Sequence, residues 1–395
     1  MAHDGNPQKD AKEEVRILIL GVGVGSGHMR AARALEEALR ATDPRTPVKV
    51  CDLLHEGFPP YSWFYRSVYL LLARRLPGLL DLLYDKSDGM PLGLSRLLPL
   101  WDGFFFRKTL SLVWRANADL ILCTHFLPLE ILAPLRRSGR LSAPLWGIVT
   151  DLHPHGIWLW PGVDRYFAAD PEQREPFFRR LPETPVSGFG IPVGEEFSGG
   201  EPRDRLLRRL GLPDRKTVLI LSGGAGVVDL PRCLLSLSEL STPLNVVAIA
   251  GDNPALFESC RRAVSRQEGP ILFRVLGFVT NMAEWMSLAD LVVTKPGGLT
   301  LFEALALGRP LLLLPARGGQ EAINRQWAVT RGAAVACDSE EAAGPLVKSL
   351  LENPARLKSL GEASKQNGCP GAARMVAREA LEALPDRKTP NRRFS

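Results

Sequence analysis

The 395-residue chain is poor in the residues that build metal or redox centres. Its six cysteines, Cys51, Cys123, Cys233, Cys260, Cys337 and Cys369, are scattered with no close pair at metal spacing, and three of them lie in apolar runs. Reduced, buried thiols of a cytosolic protein are expected. No uncharged apolar run approaches the roughly 20 residues needed to span a bilayer. Residues Met1 to Glu14 are polar and charged, without the apolar centre of a secretory leader, so the protein is expected in the cytoplasm. No Gly-Lys-Ser/Thr follows the turn Ser222-Gly-Gly-Ala-Gly226, which removes a P-loop. What is present is the composition of a soluble globular protein, 45% hydrophobic and 23% charged. The net charge of +6 favours acidic partners, nucleic acid or an anionic membrane surface, without choosing between them.

The length suggests two domains. Apolar runs at Arg16–Gly21, Val48–Leu54, Asp119–Cys123, Leu145–Thr150 and Asp164–Ala168 predict strands in the first half. Thr217–Leu221, Asn245–Ala250, Ile271–Leu276, Leu291–Thr294 and Pro310–Leu314 predict them in the second. Helical segments, such as Ala-rich Met29–Arg40, lie between. Alternation of this kind implies α/β architecture: two doubly wound, Rossmann-like domains whose parallel sheets are covered on both faces. The expected division is a disordered N terminus (1–14), a first domain (15–195), a Gly-, Pro- and charge-rich linker (196–216), a second domain (217–367), a C-terminal helix (368–385) and a disordered basic tail (386–395), with the helices from Pro354 onward expected to pack back across the linker. Ligands of such folds bind beyond the strand C-termini, here in the cleft between the domains.

Four segments carry candidate chemistry. The turn Gly21-Val-Gly-Val-Gly-Ser-Gly-His28 leads straight into a helix, and glycines with a free helix start suit phosphate or a closely approaching ligand. A dinucleotide site, with Asp52 closing the second strand, is one reading of it. His28 argues for another, a general base for a hydroxyl; the bland alternative is a histidine that caps the helix or packs in the turn. The segment Thr150-Asp151-Leu-His153-Pro-His155-Gly-Ile-Trp158 leaves a strand end with two histidines, an aspartate and a tryptophan. The histidines flank a proline with no Cys or Glu nearby, which disfavours a metal. A cleft loop, with Asp151 orienting a base or meeting an acceptor and Trp158 as apolar wall, competes with a polar interdomain contact.

From Asp290 to Trp327 the order is strand, Lys-Pro-Gly-Gly turn, helix with Glu303 one turn in, strand, and a polar loop with Gln320, Glu321 and Asn324. Amide groups and carboxylates at neighbouring strand ends suit a nucleotide sugar. Finally, Phe58 to Arg107 crowds Tyr61, Trp63, Phe64, Tyr65 and Tyr69 among Arg66, Arg74 and Arg75. This is the composition of a membrane-interface segment, or of a helical excursion packed on its own domain.

With these residues in view, the chain resembles the family 28 glycosyltransferases of GT-B fold. It is most similar to the monogalactosyldiacylglycerol synthases and the bacterial processive diacylglycerol glucosyltransferases. The match runs from about Val15 to Leu384 and rests on GFVTNMAEW (Gly277 to Trp285), TKPGGLTLFEA (Thr294 to Ala304) and GGQEAIN (Gly318 to Asn324), with the glycine loop ending in His28. The resemblance implies inverting transfer of glucose or galactose from a UDP-sugar to a membrane lipid hydroxyl, diacylglycerol foremost. It implies no metal or other cofactor and no nucleic-acid partner.

It also implies residue roles. His28 is the base, supported by Asp151. Gly27, His155 and Trp158 meet the acceptor. Phe278 and Val279 present backbone to the uracil. Gly297, Gly298, Leu299 and Thr300 hold the diphosphate, with Gly223 and Gly226 as the opposite wall. Glu303 binds the ribose, and Gln320, Glu321 and Asn324 bind the hexose. Trp63, Phe64, Tyr65 and Arg66 dock the protein peripherally on the anionic cytoplasmic face of the membrane. Two positions depart from the family pattern: Ser26, where the plant enzymes have a third glycine before the histidine, and Ala322, where many relatives carry lysine. A transferase using UDP-N-acetylglucosamine on a polyprenyl-linked peptidoglycan precursor shares fold and donor class. A UDP-N-acetylglucosamine 2-epimerase shares the architecture and needs no acceptor.

Overall fold

The computed structural model describes residues 15–23, 27–56, 107–223, 228–316 and 319–385. Trp63, Phe64, Tyr65, Arg66 and Gly226 lie outside them.

Among the described residues, twelve strands form two parallel six-stranded sheets. The first sheet comprises β1 (Ile17–Gly21), β2 (Val48–Asp52), β3 (Leu120–Cys123), β4 (Leu145–Ile148), β5 (Arg165–Ala168) and β6 (Val186–Gly188), in the order β2-β1-β3-β4-β5-β6. The second comprises β7 (Thr217–Leu221), β8 (Leu244–Ile249), β9 (Ile271–Leu276), β10 (Leu291–Thr294), β11 (Leu311–Leu313) and β12 (Ala334–Ala336), in the order β12-β11-β10-β7-β8-β9. The central strands are fully buried because both faces carry helices; β1, β3, β4, β7, β8, β10 and β11 contain almost nothing but aliphatic residues.

Strand order fixes where ligands can bind. The order in which strands are added reverses between β1 and β3 in the first sheet and between β7 and β10 in the second. Chain leaving two adjacent strands at such a switch point diverges to opposite faces and opens a crevice at the carboxyl edge. The four segments that leave these strands are Gly21–Gly27, Thr124–His125, Ser222–Gly223 and Lys295–Gly298.

Three segments differ from the sequence expectation. Within 196–216 the amphipathic stretch RDRLLRRL forms a helix, Arg203–Leu210, and buries Leu206, Leu207 and Leu210 in the core beneath the second sheet. Three-residue strands β6 and β12 form at sheet edges, where neighbouring strands supply the pairing that their own short apolar patterns do not announce. The last helix, Ala372–Glu382, returns to the first lobe and packs Ala373, Val376, Ala377 and Ala380 against Ile17, Ile19, Ala32 and Leu35. Among the described residues no helix is long and apolar enough to cross a membrane.

Candidate active site

His28 is the second residue of the helix Gly27–Thr42 and points its ring at the β3 and β4 strand ends. Its Nδ1 lies 2.7 Å from Thr150 Oγ1 and 3.1 Å from the Thr124 carbonyl, and Thr150 Oγ1 lies 3.3 Å from that same carbonyl. A carbonyl only accepts. The arrangement that satisfies all three groups has Nδ1–H donating to Thr150 Oγ1 and Thr124 O, and the threonine hydroxyl donating to Thr124 O. This assigned tautomer leaves the Nε2 lone pair free to take a proton. Burial pushes the imidazole below its ordinary value; the Asp151 carboxylate and the Thr124 carbonyl pull the other way. The ring is therefore neutral at physiological pH, as a base must be.

A second histidine, not singled out from the sequence, backs the first. His125 stands edge-on to His28 with ring centroids 4.5 Å apart, and its Nδ1 accepts from Leu127 N at 3.0 Å as cap of the helix Phe126–Arg137. Burial first, and the neighbouring His28 second, hold it well below the normal histidine range. Only a topological fact, β3 lying beside β1, brings His125 and Thr124 to this point.

Other predicted residues of this lobe sit further back. Trp158 is fully buried and donates from Nε1 to Asp151 Oδ2 at 2.7 Å, so it is not a wall of the open cleft; it holds the carboxylate in place behind the histidines. Asp151 makes no direct bond to His28 and acts on it through charge. His155 is buried, and its Nδ1 accepts from Ile157 N at 3.2 Å, capping the short helix Gly156–Trp158; it is a structural histidine rather than a surface that meets an acceptor. His153 contacts Gln173 instead, at 3.2 Å, so the two histidines do not converge. Asp52 Oδ1 accepts from Gly23 N and Leu54 N, both at 3.0 Å. Asp52 thereby braces the glycine turn from the end of the second strand.

In the second lobe the helix Gly298–Ala306 begins at Gly297 with no side chain capping it, so its first amide groups are open to an anion. It faces the first lobe directly. A Cβ at Gly298 would sit 3.1 Å from the Thr150 carbonyl, and one at Gly27 would sit 3.7 Å from Leu299 Cβ. The two switch points thus face each other across a contact of a few ångströms. Thr300 is half-buried at the same helix start.

Glu303, one turn further, is 2% exposed and is met from across the cleft by Arg30 Nη2 at 3.2 Å. Burial pushes its carboxyl up to about 7 against the pull of Arg30, with the Glu196 carboxylate adding to the rise. Phe278, after β9, is 67% exposed, a large apolar ring standing free beside half-buried Val279. Gln320 and Glu321 open the helix Gly319–Thr330, and Glu321 is paired with Lys295. Asn324 is buried and donates to Pro296 O at 2.9 Å, bracing the Lys-Pro-Gly-Gly turn.

Comparison with known proteins places this geometry. The family model described as monogalactosyldiacylglycerol (MGDG) synthase matches residues 28–193, and the model of the glycosyltransferase family 28 C-terminal domain matches residues 217–379. A processive diacylglycerol beta-glucosyltransferase of Bacillus cereus (strain AH820) is 30% identical over 361 residues, 89% of each chain. The chain belongs to the family 28 glycosyltransferases. Its fold is GT-B: MurG of Acinetobacter baumannii superposes with a TM-score of 0.58 at 14% identity over 93% of this chain and 99% of that one. The UDP-GlcNAc 2-epimerase of Neisseria meningitidis bound to UDP-GlcNAc gives the same score and identity, with 93% and 99% covered. Architecture alone therefore does not separate a transferase from an epimerase. The sequence relatives, which share both halves, do.

Proposed function

We propose that the protein transfers a hexose from a UDP-sugar to a hydroxyl of a membrane lipid, diacylglycerol foremost, with inversion at the anomeric carbon. The observation that carries this is the apposition, across one narrow cleft, of a neutral histidine with a free Nε2 and an uncapped helix start. The amides of Gly298, Leu299 and Thr300, after the Gly297 turn, take the diphosphate, and Gly223 forms its opposite wall. Glu303 accepts from the ribose hydroxyls in place of Arg30. The backbone of Phe278 and Val279 meets the uracil. Gln320 and Glu321 take the hexose, on a turn braced by Asn324.

The lipid hydroxyl enters beside Gly27 and His28. As its oxygen attacks the anomeric carbon from the face opposite UDP, Nε2 takes its proton and the bond to the diphosphate breaks. Asp151 stabilises the imidazolium that forms, and the helix dipole stabilises the departing diphosphate, without calling on a metal or other cofactor. Closure of the lobes keeps water from the sugar. The relatives are named glucosyltransferases, which supports glucose as the hexose.

The test is a screen of labelled UDP-glucose, UDP-galactose and UDP-N-acetylglucosamine with diacylglycerol, products identified by mass. A hexosyl-lipid is expected from the first or second donor. Transfer only from the third, or epimerisation of it without acceptor, overturns the reading. His28→Ala should lower transfer by about 10²–10⁴-fold while UDP binding survives; retained turnover removes His28 from its role.

A further inference from the structure

Lys295 is not among the residues assigned to the donor, yet its side chain runs through the place assigned to the diphosphate. It follows β10 directly, at the switch point of the second sheet. Its stem lies flat across the turn after the neighbouring strand β7. A Cβ at Gly223 would lie 2.9 Å from Lys295 Cδ and 3.1 Å from Cγ, so the stem occupies the space over this turn, and the φ of +69° at Gly223 favours glycine there. The ammonium ends on the Glu321 carboxylate, in the first turn of the helix Gly319–Thr330. Both side chains are largely removed from water, 17% and 20% exposed. One cation thus joins three loops: the turns after β7 and β10 and the loop that carries the hexose residues.

A partly buried ion pair of this kind is costly to desolvate and contributes little to stability by itself. The cation instead sits where an incoming diphosphate needs a full positive charge. A helix start offers only about half of one. Lysine on a flexible stem is a point charge that can change partner by rotating about its own bonds.

We propose that Lys295 is the cationic ligand of the donor's diphosphate and that Glu321 is its counter-charge in the donor-free protein. The inference rests on the UDP-sugar reading above. Arrival of the diphosphate draws the ammonium onto phosphate oxygens and releases Glu321 to accept from sugar hydroxyls. Recognition of the hexose is then conditional on a diphosphate, and one ion pair couples the two.

Calorimetric titration of the full chain with uridine, UMP and UDP tests this. Lys295→Met should weaken UDP by about 10- to 100-fold, the worth of a charge-assisted hydrogen bond, and leave uridine unchanged. Lys295→Arg should restore most of the UDP affinity. The double variant Lys295→Met/Glu321→Gln should stay as weak as Lys295→Met. An unchanged ratio of UDP to uridine affinity in Lys295→Met overturns the proposal. So does recovery of UDP binding in the double variant, which would mean that Lys295 only neutralises Glu321. If the wild-type protein binds none of the three, the donor reading falls and this inference with it, a result distinct from either.

Discussion

His28 is useful only because of what holds Nδ1. Two oxygens from different strand ends fix the ring and its tautomer, and Asp151 supplies a charge that favours the protonated form without touching it. Removing that charge should move the base in a calculable direction. In Asp151→Asn the larger opposing pull is lost, only the Thr124 carbonyl still opposes burial, and the His28 pKa falls further. The acid limb of the pH–rate profile, where protonation of the base stops transfer, should shift to lower pH. The plateau rate should fall by about ten- to a hundredfold, because the imidazolium formed in the transition state loses its counter-charge. A pH–rate profile of the variant with an unshifted acid limb would show that Asp151 acts only by bonding Trp158. The sequence singles out His28 because it closes a glycine turn. Thr124, His125 and Thr150 carry no comparable signal, since each follows an ordinary apolar strand and is gathered to the histidine only by the strand order. For the same reason His155 and Trp158 read as ligand-facing, although one caps a short helix and the other lies wholly in the core.

Among the elements, the helix Gly298–Ala306 is the one whose position matters most. Its start sits against the Thr150 carbonyl with no room for a methyl group at ordinary contact distance. Gly298→Val should push the helix start away from the first lobe. Displacements of about 1 Å in a reacting pair cost on the order of a hundredfold. Steady-state kinetics should therefore show a large fall in kcat/KM for the UDP-sugar, with Gly298→Ala milder; wild-type kinetics in Gly298→Val would mean that the contact opens before catalysis. Most elements were legible beforehand, because a parallel sheet buried on both faces demands uninterrupted aliphatic runs such as ILILG, TVLIL and LVVT. Edge strands of three residues make no such demand and left no pattern. The helix inside 196–216 was hidden by its charge: four arginines on the outer face outweigh three buried leucines in any composition count.

At the scale of the whole molecule, polar contacts join the lobes. Besides Arg30 and Glu303, Trp327 Nε1 donates to Asp170 Oδ2 at 2.6 Å and Arg331 Nη2 reaches the same carboxylate at 3.1 Å. Trp327 belongs to the helix that carries Gln320 and Glu321, so the end of the second lobe proposed to take the hexose is tethered to the β5 end of the first. The lipid acceptor proposed above would require that the molecule meet a membrane. The aromatic and basic segment before Arg107 is the part suited to that task by composition. Replacing Trp63 and Phe64 by serine should reduce sedimentation with anionic vesicles; unchanged sedimentation would assign the docking elsewhere.

The chain passes between the lobes twice, once after β6 and once before the final helix, and the two passages touch: a Cβ at Gly190 would lie 3.2 Å from Cys369 Sγ. A single strand of polypeptide permits swivelling in any direction. Two strands fastened side by side behave like the pins of a door, which leaves one axis of swing. Relative motion of the lobes would then be confined to rotation about the Gly190–Cys369 crossing, returning the His28 ring each time to the same place before the Gly297 helix start.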